Sequence, residues 1–370
     1  MSNADSFIPR KYLFITHARN FGGAERAITA LANGLAEQGN DVSLIQYRFF
    51  DSDYPVSDSV KVIPLPQRDK NLPFLKRKLF KTLFIRKTVS ELQPDFVIPM
   101  LGSVVDAAFL ATRFKKVKFI STIRNNPAKS PEKFVSRVKR NIICLFSDAI
   151  FVQNNSQKEY FPKFMQKKAF AVPNAVFPAF FDKNVAEKDR LRRVISVGRY
   201  MPQKNQKLLV RAVAKIKDVL PDLTVDFYGI GSNDIIDSIK NESERLGVSH
   251  MIHSNDRVPD IENYLCESDI FVLPSDFEGM PNALMEAMAV GLPCISTDCP
   301  TGPSDLIKNY ENGILIAVND ADALAESILF YADNPHKAFE MGRKAKDFIK
   351  NNFSETAIAT SFAENCERIF

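Results

Sequence analysis

Short apolar runs alternate with segments of helical spacing along almost the whole chain, and this rhythm most narrows the possible folds. Lys11–Thr16 is one such run; a Gly22-Gly23 corner follows, and Ala27, Ile28, Leu31 and Leu35 then share one helical face up to Gly39. Asp41–Gln46, Asp95–Met100, Val117–Ile123 and Asp148–Gln153 read as further buried strands. The rhythm restarts near residue 191. Leu191–Val197 reads as a strand, Gln203–Leu220 as a helix, and Leu223–Tyr228 as a strand ending at Gly229-Ile230-Gly231. Asp269–Leu273, Pro293–Ser296 and Gly313–Ile316 follow as strands, and the stretch after Ile252 reads as a loop. Apolar strands separated by helices imply βαβ units and parallel sheets covered on both faces. The pattern predicts two doubly wound α/β domains, 1–180 and 181–353, with the carboxyl ends of their strands facing a central cleft. The linker is expected from Val172-Pro173 through Pro178 to about residue 190, where periodicity is weak.

Composition excludes several alternatives. Of 370 residues, 45% are hydrophobic and 25% charged, which suits two globular cores and excludes a disordered, collagen-like or coiled-coil chain. The longest apolar stretch, Phe96 to Phe114, is broken by Pro99, Gly102, Ser103, Asp106 and Arg113, so it reads as strand, loop and helix and not as a membrane span. Five cysteines without a C-x-x-C pair and four histidines without ligand spacing predict reduced thiols, a cytoplasmic protein and no metal site. Asp51-Ser52-Asp53 and Asp320-Ala321-Asp322 read as capping and solvated acids, not metal ligands. No leader pattern opens the chain.

The net charge of +5 conceals an asymmetry. Residues 1–180 hold 28 Lys+Arg and 14 Asp+Glu, a net of +14, and residues 181–370 hold 21 and 30, a net of −9. A basic half implies an anionic partner. No nucleic-acid motif is present, so none is expected to bind. The segment 71–90 interleaves Lys76, Arg77, Lys78, Lys81, Arg86 and Lys87 with apolar residues and contains no acid. It reads either as a helix on an anionic membrane or as a core-packed helix with solvated cations. The first reading places the protein at the inner face of the cell membrane as a peripheral partner.

Three loops at strand ends have the residues for chemistry. Ser275 through Ala289 follows a strand and opens a helix, with Glu278 in the loop and Glu286 inside the helix, so both can line one cleft. Gly279 permits close approach, Pro281 suits the first helical position, and the free N–H groups there suit a phosphate. Glu286 is placed to accept from two vicinal hydroxyls. Gly198-Arg199-Tyr200-Met201-Pro202-Gln203-Lys204-Asn205 carries two cations around a proline turn, able to clamp a diphosphate and stabilise its departure. Gly22-Gly23-Ala24-Glu25-Arg26 lacks the dinucleotide G-x-G-x-x-G spacing but suits close ligand approach.

Taken in order, these three segments resemble the retaining glycosyltransferase family 4, over about residues 11 to 365. The resemblance implies the GT-B fold and an enzyme that moves a sugar from a nucleotide-diphosphate sugar, a UDP-sugar first, to a hydroxyl of a glycan or lipid-linked acceptor. It implies that Arg199 and Lys204 bind the diphosphate, Glu286 the ribose, and Glu278 the donor sugar. Gly279, Met280, Pro281 and Asn282 would present backbone to the donor, with Gly198 and Val258 completing the nucleotide side. Gly22 and Gly23 would lie under the diphosphate from the other domain. Asn174 would mark the interdomain crossing, and 354–370 would cross back to the first domain. Where many members carry a histidine, this chain has Ile123-Arg124-Asn125-Asn126. Arg124 and Asn125, with His17, are therefore the candidate acceptor contacts. The resemblance implies no cofactor and no metal. A GDP-mannose donor, or an epimerase or hydrolase of the same fold, is the alternative.

Overall fold

The computed structural model describes residues 9–19, 23–51, 53–66, 73–100, 103–128 and 130–370. The chain forms two compact units, Met1–Ala175 with Glu355–Phe370, and Val176–Ser354.

The first unit runs β1 (Lys11–Thr16), α1 (Gly23–Glu37), β2 (Asp41–Gln46), β3 (Val60–Pro64), α2 (Phe74–Leu92), β4 (Phe96–Pro99) and α3 (Ser103–Thr112). It continues with β5 (Lys118–Thr122), α4 (Phe134–Leu145), β6 (Ala149–Val152), α5 (Asn155–Glu159), α6 (Lys163–Gln166) and β7 (Ala169–Ala171). The seven strands are parallel in the order β3-β2-β1-β4-β5-β6-β7. Side chains alternate across the sheet with the two-residue period of a strand. Leu13 and Ile15 join Ile85 and Val89 of α2 and Val104, Ala107, Ala108 and Ala111 of α3 in one core.

The second unit runs α7 (Pro178–Phe181), β8 (Arg193–Val197), a 3₁₀ turn (Pro202–Lys204), α8 (Gln206–Ile216), β9 (Thr224–Tyr228), α9 (Asn233–Arg245) and β10 (Ile252–Asn255). Then come α10 (Ile261–Glu267), β11 (Ile270–Leu273), α11 (Asn282–Val290), β12 (Cys294–Thr297), α12 (Pro303–Leu306), β13 (Ile314–Ile316), α13 (Ala321–Asp333) and α14 (Pro335–Phe353). Its six strands are parallel in the order β10-β9-β8-β11-β12-β13. Leu208, Leu209, Ala212 and Val213 of α8 seal one face with Val194, Val225 and Ile295.

The last helix, α15 (Glu355–Glu367), belongs to the first unit. It packs on α1 at Gly34, where a Cβ would meet both Ala359 Cβ and the Glu355 carbonyl at 2.8 Å. Phe362 sits edge-on to Phe151, ring centroids 4.7 Å apart, and against Tyr12 and Phe14, on the sheet face opposite α2 and α3. Arg10 clamps Glu367 with two bonds of 2.8 and 2.7 Å.

Three strands differ from the sequence reading. Ile252–Asn255 is β10, not a loop, and β3 and β7 carry no apolar run long enough to read. The helix expected from Gln203 begins at Gln206, because Asn205 takes a left-handed backbone (φ 45°) after the 3₁₀ turn. Pro281 is the N-cap of α11, one residue before the first helical position. Both sheets are doubly wound. Strand order reverses between β1 and β4 in one unit and between β8 and β11 in the other, and at such reversals the carboxyl ends of neighbouring strands diverge to leave a crevice.

Candidate active site

β8 and β11 pair directly, and the two motif loops of the second unit leave their carboxyl ends side by side. The loop after β8 is shaped by three close approaches at glycines, two to backbone and one to a side chain. A Cβ on Gly229 would lie 1.9 Å from the Gly198 carbonyl oxygen, and one on Gly231 would lie 2.2 Å from that of Tyr200. The Gly-Ile-Gly segment is therefore a packing requirement of this turn. The third approach is at Gly198, where the aliphatic stem of Lys204 lies 3.3 Å from where a Cβ would be. The Tyr200 hydroxyl donates to the carbonyls of Phe227 and Asn255 and fixes the turn to β9 and β10.

Lys204 closes the 3₁₀ turn and reaches Glu278, with Nζ 2.6 Å from Oε1. Their side chains are 17% and 7% exposed, so the pair is largely out of water. The Ser275 hydroxyl donates to the same carboxylate oxygen at 2.7 Å. Gln203 Nε2 donates to the Phe277 carbonyl at 2.6 Å, the Asp276 N–H donates back to Gln203, and Asn205 donates to Asp276 at 2.8 Å. These bonds splice the β8 loop to the β11 loop. Arg199, one residue past Gly198, is exposed and has no ion-pair or hydrogen-bond partner for its guanidinium among the described residues.

A third loop, after β12, supports the acidic one. Thr297 donates to the Ser275 carbonyl at 2.6 Å, and the Thr301 hydroxyl donates to the Glu278 carbonyl. Gly302, at φ 102°, lies so close that a Cβ would meet Pro281 Cδ at 2.7 Å and the Gly279 carbonyl at 2.9 Å. Burial and the neighbouring Glu278 carboxylate push the Cys299 thiol up to about 12, so it stays neutral beside the loop. Thr297, Thr301 and Gly302 were not singled out in the sequence, and Ser275 stood only as the first residue of its motif, without a role. The one signal was a Thr-Gly-Pro turn after a strand.

α11 is buried on every side from Leu284 to Val290, and Glu286 sits within that run at 5% exposure. A carboxylate in such a helix costs desolvation and marks a special position. Met280 is buried, Gly279 and Asn282 flank Pro281 at the helix entrance, and Val258 is half-buried in the loop after β10.

In the first unit, Gly23 begins α1 at the carboxyl end of β1, and Gly22 lies outside the described residues. His17 packs on Tyr47, ring centroids 5.0 Å apart. Burial, then Arg48 and Lys81, lower its pKa and favour the neutral ring. Arg124 follows β5; its Nη1 donates to Asn174 Oδ1 at 3.1 Å, while its Nε has no hydrogen-bond partner among the described residues. Desolvation lowers its pKa to about 10, so it remains cationic at neutral pH. Asn125 accepts from the Asn126 N–H at 2.7 Å, so its carbonyl shapes the turn. Asp53 does more than solvate: it pairs with buried Arg19 at 3.7 Å, beside Gln46 at the end of β2. Among the described residues no group of three or more His, Cys, Asp or Glu is gathered to hold a metal, and no helix is long and apolar enough to cross a membrane.

Two parallel-sheet, Rossmann-like units with site loops at their strand-order reversals define a GT-B glycosyltransferase. The chain belongs to glycosyltransferase family 4: the model for "Glycosyltransferase Family 4" matches residues 21–180 and that for "Glycosyl transferases group 1" matches 179–351. Among similar proteins is the Campylobacter jejuni GalNAc-alpha-(1->4)-GalNAc-alpha-(1->3)-diNAcBac-PP-undecaprenol alpha-1,4-N-acetyl-D-galactosaminyltransferase, 28% identical over 92% of this chain and 94% of that one. An uncharacterized glycosyltransferase of Haemophilus influenzae is 26% identical over 90% and 93%. Anabaena Alr3699/HepE in complex with UDP and glucose shares the fold, with a TM-score of 0.78 at 16% identity, covering 97% of this chain and 99% of that one.

Proposed function

We propose that the protein transfers a sugar, with retention, from a UDP-sugar to a hydroxyl of a lipid-linked or polymeric glycan. The observation that carries this reading is the Lys204–Glu278 pair, joined across adjacent strand ends with exposed Arg199 on the same turn. Lys204 and Arg199 meet the donor diphosphate, the Arg as a planar fork and the Lys as a point charge. When the diphosphate draws Lys204 away, the Glu278 carboxylate, still held by Ser275, accepts from hydroxyls of the donor sugar. Glu286 accepts from the ribose hydroxyls, and Val258 lies on the base side.

The acceptor hydroxyl attacks the anomeric carbon on the face from which the diphosphate leaves. The anomeric C–O bond to phosphate breaks, the glycosidic C–O bond forms, and the acceptor proton passes to a departing phosphate oxygen. Charge stabilisation and positioning dominate such a step. The diphosphate charge is met by two side-chain cations, so the scheme requires no metal. Arg124 and His17 are assigned to the acceptor side, where Arg124 offers a cation to a phosphate-bearing acceptor. The galactosaminyltransferase relative, named for an undecaprenyl-diphosphate glycan, supports that acceptor class, and the UDP complexes of HepE support the donor.

Calorimetry with UDP, GDP and ADP, with Arg199→Ala/Lys204→Ala as control, tests the donor assignment. UDP-selective binding lost in the control is expected. GDP-selective binding would replace the donor with a GDP-sugar, and binding that survives in the control would remove the diphosphate clamp.

A further inference from the structure

One helix layer of the first unit is apolar on the side that faces solvent. α4 turns Phe134, Val135, Val138, Ile142 and Leu145 outward, and Phe146 follows at its end. At about 100° per residue these six fall within an arc of about 120°. Buried Ile143 and Cys144 lie on the other side. Val135 is 78% exposed and Phe134 70%. α2 repeats the pattern with Leu75, Leu79 and Leu83 at four-residue spacing, 77%, 58% and 56% exposed. α3 lies between them. It shares a core with α2, its Asp106 pairs with Lys139 of α4, and Arg113 beyond its end stacks on Phe109 and Phe146, 4.3 and 5.2 Å from the ring centroids. Phe114 beside it is fully exposed. α2 and α4 thus each present an apolar outer stripe on the same side of the sheet, with α3 and the Arg113–Phe146 stack between them.

The segment that carries these helices is basic: residues 71–146 contain sixteen Lys+Arg and four Asp+Glu, a net of +12. Lys76, Lys116, Lys133 and Lys139 are among its exposed cations, and Glu91 and Asp106 are already paired with Lys87 and Lys139. Docking a second copy would bring two such faces together and set like charges against each other. A lipid surface rich in phosphate supplies the complementary charge, and an apolar helical stripe flanked by long cations suits the boundary between headgroups and acyl chains. The segment 71–90 alone would not suffice. Lys81 is buried over the Tyr47 ring at 4.0 Å and Arg86 donates inward to the Arg113 carbonyl.

We propose that the outer face of α4, extended by α2 and the end of α3, docks on an anionic lipid bilayer, with Phe134, Val135, Val138 and Ile142 at the acyl boundary and Lys76 and Lys116 on lipid phosphates. The N-terminus of α4 lies at the carboxyl edge of the sheet, the edge that carries Gly23 and Arg124, so docking along α4 brings one end of the surface to that edge. The surface stands independently of the donor assignment, because its test contains neither nucleotide nor acceptor.

The test is flotation of the full chain with phosphatidylcholine vesicles, with and without phosphatidylglycerol, at low and physiological salt. Binding to the phosphatidylglycerol vesicles, weakened by salt, is expected. Val138→Ser/Ile142→Ser and Lys76→Ala/Lys116→Ala should each weaken it by about tenfold or more, with unchanged circular dichroism because all four sites are exposed. Absence of binding at low salt, or variants that bind like wild type, would overturn the proposal. So would a wild-type dimer that ignores vesicles and is split by Val138→Ser/Ile142→Ser, which would make the face a self-interface.

Discussion

Lys204 and Glu278 form a pair that is poorly exposed and anchored on one side by Ser275, and this makes a double-substitution experiment decisive. Lys204→Met keeps the stem over Gly198 but leaves a carboxylate at 7% exposure with the Ser275 hydroxyl as its remaining side-chain partner among the described residues. Removing one partner of a buried pair costs about 3–5 kcal/mol, and water reaching a 17%-exposed ammonium puts this case at the lower end. For a unit of this size, about 3 kcal/mol corresponds to a fall of about 6–12 °C in melting temperature. Glu278→Gln should cost less, because the freed ammonium turns toward water. Lys204→Met/Glu278→Gln removes both charges, so its cost should fall short of the sum of the single costs by about 1 kcal/mol or more. Scanning calorimetry reads this on the transition that bound nucleotide raises, which separates the second unit from the first. Each single variant should also lose about 10²-fold or more in turnover, and the double variant should not recover it. Costs additive within about 0.5 kcal/mol would show that the two charges do not support one another, and the reasoning would fail.

Other outcomes follow from the same geometry. Gly229→Ala should destabilise the second unit by about 1–3 kcal/mol, because its Cβ would lie 1.9 Å from the Gly198 carbonyl; calorimetry should also show weaker nucleotide binding as that turn shifts. Glu355 is buried, its Oε1 has no hydrogen-bond partner among the described residues, and desolvation and then Glu37 raise its pKa from 4.5 to about 7. The folded state therefore holds a proton that the unfolded chain releases between those values, so stability falls as pH rises from about 4.5 through 7. Glu355→Gln should raise the melting temperature of the first unit at pH above that window and leave it nearly unchanged below, and a pH-independent effect would contradict this. Turnover in excess chelator should match the untreated rate; loss restored by a divalent cation would assign the diphosphate charge to a metal.

The sequence was most readable where burial is symmetrical. β1, β2, β8, β9 and β11 lie inside sheets, and their apolar runs announce them. β3, β7, β10 and β13 lie at sheet edges, where one flank meets solvent, and of these only β13 kept a readable apolar run. In β10, His253 and Ser254 are exposed, and no alternation marks the strand. At the candidate site the charged residues were legible because Glu and Arg at strand ends are chemically conspicuous. The hydroxyls that hold them were not. Thr297 and Thr301 act through single bonds to a loop more than twenty residues away, and although Ser275 reaches Glu278 from three residues away, nothing local distinguishes such a serine from a solvated one. The basic segment 71–90 was visible as charge, but which cations face inward depends on the neighbouring Tyr47 and Arg113, which sequence spacing does not relate.

The return of α15 to the first unit makes that unit depend on the end of the chain. Domains ordinarily fold as they emerge, the earlier one first. Here the earlier sheet leaves Tyr12, Phe14 and Phe151 uncovered until Phe362 arrives, whereas Val176–Ser354 is a single uninterrupted stretch. The second unit can therefore mature while the first still waits for the helix that closes the sheet face opposite α2 and α3.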